Sequence, residues 1–594
     1  MASQLLERKL ESKVDIGNMR LNMLGHVILD NVRLYDQQDT LMLQASRIAA
    51  KIDITPLFRK KIRISAAQLI GAKANLYKDG DEPFNFQYFI DAFSSKDTTS
   101  SPLDLKIGAL VIRRGEVRFD MLGKTPSKGK GSKFDTNHLH LTDLSLTTRV
   151  HFKKEDSLYV DLRNLSFKEQ SGLQVRELSL EAEAGKNNST VHNLKIELPN
   201  STISFTQVKG NVGLLSFKQK KNFIKTLNAE AVMAANICPH DLACIIPKLA
   251  SFNDELNLSA NAKMSNGTLR LPNISFSDNN GNLSLLLNAS VRNIDSTPAL
   301  FADIKELYTG TNFQQFLTRN LQGEEKELSP ILTQLGSTKS SGTIAWQDKN
   351  LRTNLQTESN QGNVLIEGSL KNMQNVDAKI LLANLKIGQL LSLKNKAKGT
   401  TASVEASVSG SLPNKDNPAK LQAKGVLKSL VFNNYEHRNI PFSATLDGET
   451  IGGKVKIEEL NGLAEIDLQT SKQQDRRILT CLATLKDFAP HKMNLTDKFE
   501  GEYFSGQINA NFQNLDINNL QGELLLTSLE LNSESKEKVE IGDVTLNSII
   551  TNTGQHITVQ SNFLLSLYFQ NSIQGLLARA LLAGCLYPGF GSLR

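Results

Sequence analysis

Four cysteines in 594 residues, Cys238, Cys244, Cys481 and Cys585, are too few and too scattered for a disulfide framework. Aromatics make up 6% of the chain, and no basic run is dense enough to track a phosphate backbone, so nucleic-acid binding is not expected. No apolar run approaches the ~20 residues that cross a bilayer as a helix. The opening Met1-Ala2-Ser3-Gln4-Leu5-Leu6-Glu7-Arg8-Lys9 has no apolar core of a signal peptide. The balance of 68 basic to 61 acidic residues leaves +7, mild for this length, and reads as a solvated surface of mixed charge.

Signatures of chemistry are equally scarce. Lys124 to Lys133 (KTPSKGKGSK) is a flexible basic loop without the spacing or the strand-to-helix context of a phosphate-binding loop. Cys238, His240 and Cys244 lack a fourth ligand at zinc-finger spacing and read as a helix start capped by Asp241 with buried cysteines. His138 and His140 would share a strand face, opposite Leu139 and Leu141, and are expected to be solvated. Acidic residues are spread singly, so no carboxylate pair can be nominated for acid–base work. No strained, glycine-flanked nucleophile elbow occurs. The expectation is a protein that is not an enzyme and carries no cofactor or metal.

What is abundant is short apolar alternation. Hydrophobic residues are 40% of the chain but never form long blocks. They recur at every second position, the periodicity of strands with one apolar and one polar face. The clearest run is Ala402, Val404, Ala406, Val408, Gly410, Leu412. Leu256, Leu258, Ala260, Ala262 and Leu283, Leu285, Leu287, Ala289, Val291 behave alike. Asn266-Gly267 and Asn279-Asn280-Gly281 carry hairpin-turn chemistry. Phe84, Phe86, Phe89, Ile90 and Phe93 predict a short helix that plugs an end, and Asp241 to Leu249 a short amphipathic helix. Pro298 to Leu335, with Leu300, Ile304, Leu307, Phe313 and Phe316, predicts two or three helices. The phrase at Leu105 to Leu110 returns at Leu385 to Leu391 without a fixed period, which disfavours a propeller or short-repeat solenoid.

The order of runs in the first ninety residues is the most specific feature: Val14-Asp15-Ile16-Gly17, Leu29-Asp30-Asn31-Val32-Arg33-Leu34-Tyr35-Asp36, Asp39-Thr40-Leu41, Ala49 to Ile54, Ile62-Arg63-Ile64 and Asn85-Phe86-Gln87-Tyr88. This order resembles the start of the periplasmic part of the TamB family, the inner-membrane component of the translocation and assembly module, within the AsmA-like superfamily of bridge-like lipid transfer proteins. The match covers roughly the first fifth of the chain; the rest agrees in style. The resemblance implies a mainly β fold, an elongated, curled antiparallel sheet whose apolar side is a trough for phospholipid acyl chains. It further implies a bacterial periplasmic location, inner and outer membranes as neighbours, and an outer-membrane barrel partner. Members begin with a membrane-spanning helix, so this chain is expected to start just downstream of one.

The predicted organisation is 1–12, linker after the anchor; 13–123, capping β region; 124–133, basic loop; 134–297, groove; 298–340, helical insertion; 341–562, groove; 563–594, an atypical apolar end foreign to the groove. At about 15 residues per strand and turn the chain would hold roughly 40 strands stacked over ~190 Å. By pattern, Leu256, Leu258, Leu283, Leu285, Leu287, Val404, Ala406 and Val408 are expected to line the trough. The competing expectation is a β-rich surface adhesin or autotransporter-like passenger, which binds protein or glycan and hides its apolar face against itself.

Overall fold

A computed structural model describes residues 7–570 except 9, 22–25, 54–61, 81, 95–102, 105–107, 125–132, 155–156, 214–225, 253, 295, 321–333, 394, 415–416, 474–475, 514–520, 534–537, 552–553 and 562–563. The fold is mainly β and antiparallel, as the alternation requires, with thirty-two strands among the described residues instead of the forty that the spacing suggested. Strands are longer than expected, commonly ten to fourteen residues, because many carry an extra residue at a bulge. Helices are few and short: Gln87–Ser94, Thr311–Asn320 and Ile387–Leu390.

The chain divides into two compact units, Met1–Asn320 and Leu321–Arg594. In the first, strands run from Val14–Leu21 to Ala299–Thr309; in the second, from Thr338–Gln347 to Leu564–Gln570. Among the described residues pairing joins strands that follow one another in the chain, except around residues 62–79, where Lys73–Asp79 also pairs with Leu41–Asp53 and Ile62–Ile70 also pairs with the short strand Leu103–Asp104. Ile62–Ile70 and Lys73–Asp79 both lie parallel to Ala109–Leu122, reached by a crossover that contains the helix Gln87–Ser94. A parallel neighbour requires such a long return.

In each unit one rim of the sheet differs from the other. Among the described residues several helices and 3-10 turns sit on the first rim. In the first unit these are Gln87–Ser94, the 3-10 turns Pro239–Leu242 and Pro247–Ser251, and Thr311–Asn320. In the second they are Ile387–Leu390, Asn395–Gly399 and the irregular segment 489–501. The other rim has tight turns such as Asn266-Gly267 and Asn372-Met373, whose positive φ values (48° and 69°, 54° and 54°) match the expected hairpin chemistry.

Between the rims a line of bulges crosses the sheets. Asn273 and Ser528 in mid-strand, and Asn384 and Asp487 one residue before the end of theirs, have φ from 47° to 57°, a region that Asn and Asp tolerate better than most residues. Each marks a register shift, and each N–H leaves the ladder and donates to a side chain on the next strand. Asn273 donates to Asn288 Oδ1 (3.0 Å), Asn384 to Ser403 Oγ (3.0 Å), Asp487 to Ser505 Oγ (2.9 Å) and Ser528 to Asp543 Oδ1 (3.0 Å). A bulge bends its strand and increases the local twist, so a row of them creases the sheet.

Four expectations are corrected. Ala299–Thr309 is a strand and not helix. Its pairing slips by one residue at Lys305, which turns alternation into the spacing Leu300, Ile304, Leu307 that mimics a helix. Asp241 to Leu249 forms 3-10 turns because Pro247 interrupts it. Asp241 is also no cap of its own turn: its carboxylate accepts from Asn200 N (2.7 Å) and Ser201 Oγ (2.7 Å). Leu564–Gln570, placed in the atypical end, pairs with Gly554–Ser561 as an ordinary strand. The rest of that end and most of the basic loop lie outside the described residues.

Candidate apolar lipid-facing surface

In the first unit, cross-strand partners can be followed from strand to strand without leaving one face. The rank reads Met19, Leu29, Ile48, Leu69, Ile112, Leu146, Leu165, Leu178, Ile196, Ile203, Ala235, Leu258, Phe276, Leu285, Leu307. Every position is apolar. Cross-strand partners share a face, so this is one uninterrupted stripe; fourteen steps of ~4.8 Å give it a contour of roughly 67 Å.

The second unit has its own rank: Leu355, Ile366, Ile380, Ala406, Gly425, Phe442, Val455, Ile466, Ala483, Ile508, Leu526, Val544. Beside it runs a second lane, Gly368, Ala378, Val408, Ala423, Ala444, Gly453, Leu468, Cys481, Ala510, Leu524, Leu546, Val559. Burial pushes the Cys481 thiol above its usual range, with the Asp467 charge adding to it, as expected for a thiol among aliphatic neighbours.

Burial separates the two sides of these stripes. At the rim with the helical pieces the apolar face is covered. Leu10, Val14, Leu34 and Met42 form a cluster with Phe86, Tyr88 and Phe89 from the Gln87–Ser94 region, and the Tyr88 hydroxyl donates to Tyr35 O at 2.6 Å. Phe252 meets Phe313 and Phe316 at ring distances of 6.0 and 4.9 Å above the same rim. Buried carboxylates finish its turns: Asp36 Oδ1 accepts from Gln38 N and Thr40 N (2.9 and 2.8 Å), and Asp278 accepts from Asn282 N and Leu283 N (3.0 and 2.8 Å). Tyr77 donates to Asp36 Oδ2 at 2.8 Å, and Asn85 also reaches it, so Asp36 and Asn85 of the amino-terminal motif meet at one end of the sheet.

Away from that rim most rank residues are only half-buried, although they are apolar; the exceptions are in the second unit, where Ala483 (8%), Ala510 (6%), Leu546 (8%) and Val559 (4%) are buried, the last two in a cluster with Ile557. An amphipathic sheet normally covers such a face with a second layer, and among the described residues the pieces that could do so stay at one rim. The expected lining residues fall into place unevenly. Leu258 and Leu285 lie on the first rank with Phe276 between them, and Ala406 lies on the second. Leu287 and Val408 occupy the lane on the turn side, and both are half-buried. Leu256 and Val404 lie toward the covered rim, half-buried, and Leu283 is buried outright at 5% exposure, so it is packing and not lining. Phe276, Phe442, Ile466, Ile508 and Leu526 were missed, because which strand residue stands beside which is a matter of register that local spacing does not reveal.

The opposite face is charged. Lys454 pairs with Asp467 (2.8 Å), Lys456 with Glu465 (3.4 Å) and Lys428 with Glu405 (3.2 Å), all between neighbouring strands. A hollow of about 900 Å³ lies there, with Lys424, Lys454, Lys456, Glu465 and Asp467 in its lining. Two polar rows flank the backbone of the apolar rank in that lining, so the hollow belongs to the polar side and is not the apolar surface. His138 and His140 are not a free pair: they contact Asp120 Oδ1 (3.0 Å) and Glu116 Oε1 (2.9 Å). The hydrogen bond to Asp120, helped by the Lys124 carbonyl, raises the His138 pKa; Lys73 and then His140 lower that of Glu116. Among the described residues no group of three or more His, Cys, Asp or Glu could hold a metal ion, and no helix is long and apolar enough to cross a membrane. No protein-family model and no curated protein matches this chain.

Proposed function

We propose that this chain is a non-enzymatic carrier whose apolar face holds phospholipid acyl chains, as part of a bridge between inner and outer membranes in the bacterial periplasm. The observation that supports this reading is the pair of unbroken apolar ranks, most of whose residues stay half-buried beyond the covered rim. Burying apolar area is worth ~25 cal/mol per Å², so a half-buried apolar stripe of this length favours an apolar occupant. Acyl chains suit it because they need no hydrogen bonds and can lie across strands at any register. The order of runs at the amino terminus, which resembles the TamB family, supports the same reading and adds an outer-membrane barrel as the proposed partner and assembly of outer-membrane proteins as a companion role.

The adhesin reading requires the apolar face to be closed on itself, and the half-exposed ranks count against it. The deciding experiment is native mass spectrometry of the purified chain beside the double variant Ala406→Asp/Val408→Asp. Co-purifying phospholipid in the parent and its loss in a folded variant is the expected result. Equal lipid in both, or none in the parent, defeats the proposal.

A further inference from the structure

The segment 489–501 of the second unit lies along the covered rim and turns back across several strands. At its start, Ala489 N donates to Asn461 O (2.8 Å). Five residues on, Asn494 has reached the turn before Tyr435–Asp447: Asn433 Nδ2 donates to Asn494 O (2.6 Å) and Asn494 Nδ2 donates to Asn433 O (3.1 Å). Between these two fastenings Met493 is 0% exposed and Ala489 1%. The apolar-face residues at the same ends of the strands below are just as hidden, Ile440 at 2% and Ala464 at 1%. Lower on the same sheet the face is open, with Leu468 at 39% and Ile451 at 49%.

This cover is fastened by side chains and not by a strand ladder. Besides its two polar ends and Met493, Lys492 Nζ donates to the Tyr503 hydroxyl, and Phe499 lies edge-on to Phe504 at 5.2 Å and packs against the cluster of Phe504, Leu529, Leu531 and Ile541. Asn494 and Phe499 both sit at positive φ, 55° and 67°. For a bulky residue such as Phe that is a strained conformation, kept only while its surroundings enforce it. Lifting the segment would relieve the strain and expose Met493, Ile440 and Ala464, but it would break no pairing between the strands below, so it can open without global unfolding.

We infer that residues 489–501 are a hinged strap over the upper lane of the apolar face, so that an acyl chain reaches Ile440 and Ala464 only when the strap lifts, whereas Val408 is reachable at all times. The inference rests on the lipid-carrier reading above and adds a gate to it. Its test uses the full chain with the four native cysteines changed to Ala and a photo-crosslinking residue at position 408 or 464, in phospholipid vesicles. A second pair of changes, Asn433→Cys and Asn494→Cys, locks the strap when oxidised. Crosslinking at 408 should be the same in locked and reduced protein, while at 464 it should fall about tenfold on locking, as expected when an open state is removed. Met493→Ser should raise labelling at 464 and leave 408 unchanged. Equal labelling at 464 in both redox states, or none in either while 408 labels, overturns the strap. Labelling at neither position defeats the carrier reading instead. The strap then stands or falls on hydrogen exchange: the Ala489 and Met493 amides should exchange about tenfold or more faster than those of Gly462–Gln473, and equal protection overturns it.

Discussion

The two rims of the sheet are made from one alternation pattern and do opposite things with it. At the rim that carries helical pieces, side chains such as Leu34, Leu283, Ile440 and Met493 are buried to 6% exposure or less, and carboxylates like Asp36 and Asp278 close the turns. Toward the other rim the same kind of residue, Val408 or Leu468, stays half-buried or more exposed. Stability is therefore expected from one side of the face and ligand contact from the other. Placing both on one strand lets a long surface stay apolar without collapsing on itself.

The comparison can be broken most directly by charge. Val408→Asp alone should cut bound phospholipid about tenfold, measured by lipid extraction, while circular dichroism and the urea midpoint hardly change; a carboxylate beside an acyl chain loses its water without gaining a partner. The reciprocal change, Leu34→Ala at the covered rim, should cost about 2–5 kcal/mol by urea unfolding and leave lipid per folded molecule unchanged. Similar unfolding losses for Leu34→Ala and Leu468→Ala would erase the distinction. Smaller effects sharpen the boundary. Ser505→Ala removes the acceptor for the bulged Asp487 N–H and should cost about 1–2 kcal/mol, together with faster exchange of that amide.

The smallest effect is electrostatic. Because His138 is raised by Asp120, its contribution is fully present below the pKa of the unfolded imidazole and disappears as pH rises through the folded value. Asp120→Asn should lower the His138 titration point seen by NMR. It should destabilise slightly in mildly acidic solution, and parent and variant should converge above neutrality.

Much of this was legible in the sequence. The alternation of Thr401–Ser411, the Asn266-Gly267 turn and the aromatic run that becomes Gln87–Ser94 are local signals, and local physics decides them. What failed was non-local or depended on one extra residue. The bulge at Lys305 converted a strand into an apparent helix, and the strand number came out too high because bulged strands run longer. Of the eight nominated lining residues, Leu283 is buried because it opens its strand at the covered rim, a position that alternation alone does not distinguish from Leu285 or Leu287. The ranks themselves become visible only once cross-strand register is known.

The crossover before Ala109–Leu122 has a kinetic consequence. Almost every strand can dock on the one made just before it, so each addition closes only a short loop and the sheet can grow like a zipper from either direction. Ala109–Leu122 cannot, because it must wait for some thirty residues to return and align parallel to Ile62–Asp79. Pulse-labelling during refolding should find its amides protected last in the first unit, which makes this one strand the rate-setting step of an otherwise sequential assembly.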